Sequence, residues 1–76
     1  MKYSYRVVIE QPRDLKTKQG IEVVVDRFTT FVYNVQSVES AKRIVRTRLP
    51  QLRKQGLKMN QQDFKRCKHN LLITRI

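Results

Sequence analysis

The spacing of the apolar residues changes at Ser37, and that change limits the fold more than any other feature. Before it, apolar side chains recur at every second position. They are Tyr3, Tyr5, Val7 and Ile9 within residues 2–10, then Ile21, Val23, Val25, Phe31, Tyr33 and Val35 within 21–36. Period two is the pattern of a half-buried strand. After it, Val38, Ala41, Ile44, Val45, Leu49 and Leu52 recur at helical spacing. A chain that alternates first and then turns helical belongs to the α+β class.

The first strand is residues 2–10, with only Val8 off the stripe. Residues 11–20 carry Pro12, Asp14 and Gly20 without periodicity and read as a loop. The segment 21–36 is long: a single 16-residue strand would reach roughly 53 Å, against a radius of gyration near ~11 Å for a domain of this length. That disproportion predicts a fold-back through a loop at Asp26–Thr30, which keeps the odd positions of both halves on the face of Val7 and Ile9. A long bent strand with a bulge is the alternative, because the loop lacks Gly and Asn.

Ser37 is the expected N-cap of a helix over 37–49, with Glu39 in the first turn where the dipole favours an acid. Pro50 should end or kink it, and Gly56 is the expected C′ residue. Asn60 can cap a short second helix near 61–67; a hairpin through Lys68–Asn70 is the other reading. Residues 71–76, LLITRI, form a last strand. The expected fold is a single basic α+β domain over 1–76. It has a three- to four-stranded, mostly antiparallel sheet packed on one amphipathic helix, in the order β-β-β-α-β.

Charge is distributed unevenly. The 76 residues hold 17 Lys+Arg against 6 Asp+Glu, a net charge of +11. Residues 1–40 contain six basic and five acidic side chains; residues 41–76 contain eleven basic ones and a single acid, Asp63. At ~100° per residue, Lys42, Arg43, Arg46, Arg53 and Lys54 fall within an arc of about 120° opposite the apolar stripe. Arg48 falls outside that arc, and Glu39 is the one acid within it. Lys65, Arg66 and Lys68 form a second basic cluster, with Lys58 between the two. Charge on a helix is ordinarily a solvated face, but such faces interleave acids. Here the acids are missing, so Lys42, Arg43, Arg46, Arg53, Lys54, Lys58, Lys65, Arg66 and Lys68 become candidate phosphate contacts on DNA or RNA.

Other signals are weaker. Tyr3, Tyr5, Phe31 and Tyr33 could stack on bases, but they share the stripe that the helix should cover and are expected in the core. Arg13, Lys16 and Lys18 could form a flexible arm towards a backbone or groove; the solubility of an exposed loop explains them equally. Cys67 and His69 lack an orienting group and an oxyanion hole nearby, and one Cys with one His cannot supply a structural zinc site. No glycine-rich phosphate loop and no paired carboxylates are present, so neither an enzyme nor a cofactor is expected.

The longest apolar runs are three residues, against the roughly 20 needed to span a bilayer, and the basic helix has no Trp or Phe to enter a membrane interface. Residues 1–11, MKYSYRVVIEQ, lack the h-region and small-residue cleavage site of a signal peptide, and a lone cysteine suits a reducing compartment, so a cytoplasmic location is expected.

The order strand–strand–strand–helix in a small basic domain is loosely similar to the arm-type DNA-binding domains of tyrosine recombinases and to plant-type AP2 domains. In those families the sheet enters the major groove. Their tryptophan and glycine landmarks are missing here, so the similarity carries no residue role. The reading is therefore a small non-enzymatic nucleic-acid-binding protein. The alternative is a protein-interaction module, of the adaptor or inhibitor type found in viruses and mobile elements, docking an acidic protein. A homodimer is one way for a chain this short to bury more surface.

Overall fold

The computed structural model describes residues 1–59, 62, 64 and 71–76. Four elements follow in the order β1 (Tyr3–Thr17), β2 (Gly20–Val35), α1 (Val38–Lys54) and β3 (Leu71–Arg75). The sheet is antiparallel, in the order β2-β1-β3. This is the α+β architecture with one principal helix, α1, among the described residues, but two strands rather than three precede it.

The difference lies in residues 11–36, which make neither a loop nor a fold-back at Asp26–Thr30. β1 continues to Thr17, the chain turns at Lys18-Gln19, and β2 returns unbroken from Gly20. Gly20, at φ 135°, takes a conformation that L side chains rarely adopt, and the Thr17 hydroxyl donates to its carbonyl at 3.1 Å. Pro12 is tolerated within β1 for a geometric reason. The Ile76 N–H donates to the Ser4 carbonyl at 2.9 Å, so the even residues of β1 aim their backbone groups towards β3. The described part of β3 pairs only as far as Ile9, so among the described residues no strand meets the ring nitrogen of Pro12. The length objection is met by an elongated molecule: the radius of gyration is 14.1 Å and the longest extent 53 Å. The bulge lies near the end of β2, where Tyr33 and Asn34 together oppose Ser4, with Asn34 at φ 59°.

Register decides what is buried. A two-residue turn pairs Tyr5 with Val32, Val7 with Thr30 and Ile9 with Phe28, so the odd positions of β1 share a face with the even positions of β2. On that face Tyr5, Val7, Ile9, Val32 and Val35 meet Ala41, Val45, Leu49 and Leu52 of α1, closed off by Leu57 and Phe64. Tyr3 and Phe28 pack at its margin. Before the bulge, the odd positions of β2 point the other way. Val23, Val25, Phe31 and Tyr33, expected in the core, are exposed by 68%, 43%, 42% and 62%.

α1 starts as its sequence predicts. Ser37 is extended and its hydroxyl accepts from the Ser40 N–H at 3.2 Å. Pro50 does not end the helix, which runs on to Lys54. The lost bond to the Arg46 carbonyl lies near the exposed ring, and continuing the helix buries Leu52, a gain of about 1.5–3 kcal/mol. Gly56, at φ 117°, is the C′ residue: its N–H donates to Arg53 O and the Leu57 N–H to Leu52 O, both at 3.1 Å. Of the segment expected to form a helix near 61–67, only Gln62 and Phe64 are among the described residues; of the alternative hairpin, the arm 71–76 is described as β3, while the turn 68–70 and residues 65–67 lie outside them.

Candidate nucleic-acid interface

α1 buries its apolar stripe against the sheet, which turns the opposite side of the helix to solvent. Lys42, Arg43, Arg53 and Lys54 are exposed there and Arg46 is half-buried. Helix continuation through Pro50 keeps Arg53 and Lys54 on the same rod as Lys42, with ~18 Å of axis from Lys42 to Lys54. After the Gly56 turn the exposed Lys58 joins them: Pro50, Arg53, Lys54, Leu57 and Lys58 line one shallow groove. Six of the nine candidate residues thus lie along α1 and its C-terminal turn. Lys65, Arg66 and Lys68 lie outside the described residues, as do Cys67 and His69.

The electrostatics of this side differ from those elsewhere. Among the described residues there are two ion pairs, both on the hairpin: Arg13–Asp26 at 2.9 Å and Arg27–Glu10 at 3.5 Å. The hydrogen bond and charge of Asp26 raise the Arg13 pKa. No described acid pairs with the α1 cations. Lys42 and Arg43 stand four and three residues from Arg46, spacings at which like charges cost a few tenths of a kcal/mol each. Arg53 and Lys54 in the last turn are favoured by the helix dipole.

Arg48, outside the predicted arc, does a different job. Its Nη1 donates to Thr30 Oγ1 at 2.9 Å and to the Phe31 carbonyl, tying α1 to the outer edge of β2. Arg75 lies over the Tyr3 ring, 5.1 Å from its centre.

The loop-arm reading of Arg13, Lys16 and Lys18 is corrected. They belong to a two-stranded ribbon, with Arg13 held by Asp26. Residues 10–27 carry Glu10, Asp14, Glu22 and Asp26 against Arg13, Lys16, Lys18 and Arg27, so the ribbon has no net charge. That balance is visible in the sequence once 10–27 is treated as one unit. Among the described residues, no three His, Cys, Asp or Glu side chains gather as a metal site. Nor is any described helix long and apolar enough to cross a membrane. No protein-family model, curated protein or solved structure matches this chain.

Proposed function

We propose that this chain is a non-enzymatic nucleic-acid-binding protein that holds the phosphate backbone against the outer side of α1. The observation that carries the reading is the row formed by Lys42, Arg43, Arg46, Arg53, Lys54 and Lys58, none paired with an acid among the described residues. Each such cation that meets a phosphate releases condensed counterions, and arginine adds bidentate geometry. Backbone contacts alone position a protein without reading bases, so sequence discrimination is modest. The test is fluorescence anisotropy on duplex DNA, single-stranded DNA and RNA across a salt series. Five neutralised phosphates give a log–log slope of about −4 to −5 on duplex DNA. Affinity independent of salt would contradict the proposal.

An acidic protein is the second reading, supported by the outer edge of β2, which among the described residues meets no other strand and, apart from the Phe31 carbonyl held by Arg48, offers main-chain groups for strand addition. Capture that persists after nuclease treatment and in high salt would favour it.

A further inference from the structure

The sheet has a second face, and it is apolar. Ile21, Val23, Val25, Phe31, Tyr33 and Leu72 are 42–68% exposed, and on this face Phe31 and Tyr33 stack with ring centres 6.4 Å apart. Glu10, Arg27 and Thr29 divide them into an aliphatic group at the tip of the ribbon, Ile21, Val23 and Val25, and a second group at its base, Phe31, Tyr33 and Leu72. Among the described residues nothing packs on them, since α1 occupies the other side.

We infer that this face is the interface between two copies of the chain, packed sheet to sheet with their ribbons antiparallel and their helices outward. The charges select this occupant. The outer face carries Arg6, Lys16 and Arg27 with Glu10 and Asp14, and Arg27 is already paired with Glu10. A surface so nearly balanced has little to offer a polyanion or an acidic protein, but it complements itself. A two-fold axis through the Glu10–Arg27 pair sets position 10+n of β1 over 10−n of its copy, and 27+n of β2 over 27−n; at n = 0 Glu10 and Arg27 lie over their own copies, each charge met within its own sheet by the 3.5 Å pair. Asp14 then meets Arg6 of the second copy, twice by symmetry. Val23 covers Phe31 of the second copy and Ile21 covers Tyr33, so the aliphatic tip of each ribbon lies on the aromatic base of the other.

The net charge of +11 per chain does not oppose this packing. The sheets approach to ~10 Å while the α1 cations lie a further layer out on each side, well beyond the ~8 Å screening length at physiological salt. A ribbon face ~50 Å long and ~10 Å wide contributes on the order of 500 Å² per copy, below the ~800 Å² per partner of a standard interface. The dimer is therefore a reversible one, filling with concentration.

Sedimentation equilibrium of the full chain, free of nucleic acid, tests the inference over a wide concentration range. The mass should rise from 9.1 kDa and level off at twice that value. Val23→Lys or Ile21→Lys, at positions exposed in the single chain, should hold it at one copy with an unchanged circular dichroism spectrum. Asp14→Arg should weaken association at least about tenfold, and the exchange Arg6→Asp/Asp14→Arg should restore it. Four results would overturn the inference. They are a wild-type chain that stays single, a dimer indifferent to Val23→Lys and Ile21→Lys, a mass climbing past two copies through β2 edges, and a charge exchange that fails to restore pairing.

Discussion

Gly56 stands where α1 returns the chain to the core. Its φ of 117° is one that a side chain resists, yet a Cβ there would meet nothing closer than the Phe28 ring at 3.9 Å. The demand is conformational rather than steric. Gly56→Ala should therefore cost about 1–2 kcal/mol, a fall of roughly 5–10 °C in Tm for a domain this small, seen by thermal melting. A Tm unchanged by that substitution would remove the left-handed cap from the account. Gly56 and Ser37 were both legible in the sequence because a cap is a local device, made by the residue types that occupy it. Arg48 was not: its angle on the helix marked it as different, but its partners on β2 lie seventeen and eighteen positions away and depend on register.

The elements show the same division. Residues 2–10, the helical stripe and LLITRI all declare themselves because each buries one face. The hairpin does not, because beyond Ile9 both of its faces meet solvent and no burial pattern separates strand from loop. Its alternation was visible, but the face on which Val23 and Phe31 lie follows from the parity of a two-residue turn, and period two alone leaves that parity open. α1 shows tertiary packing overriding a local breaker. Leu49 and Leu52 sit on either side of Pro50, exposed by only 1% and 5%, and their burial holds the helix together across it. Pro50→Ala restores the bond to the Arg46 carbonyl while loosening the unfolded chain, so the expected gain is about 1–2 kcal/mol by denaturant titration. A loss of stability would mean that the proline is needed for the shape of α1.

At the scale of the whole molecule, the three-stranded sheet separates two surfaces of opposite character. One side presents α1 and its cations; the other is apolar and close to neutral. The candidate binding row was legible in the sequence because eleven basic residues against one acid in the second half leave the exposed side of a helix little else to carry. The apolar outer face was hidden because its residues look like core residues, and only the register shows that they are bare. Two copies joined through that face would point their basic helices away from each other, giving a particle able to hold two nucleic-acid segments. The central claim concerns the cationic row, and charge reversal within it is the most direct measurement. Arg43→Glu with Arg46→Glu, checked for retained fold by circular dichroism, should abolish anisotropy-detected binding to duplex DNA at 100 mM salt. Binding retained at wild-type affinity by the folded double variant would contradict the account.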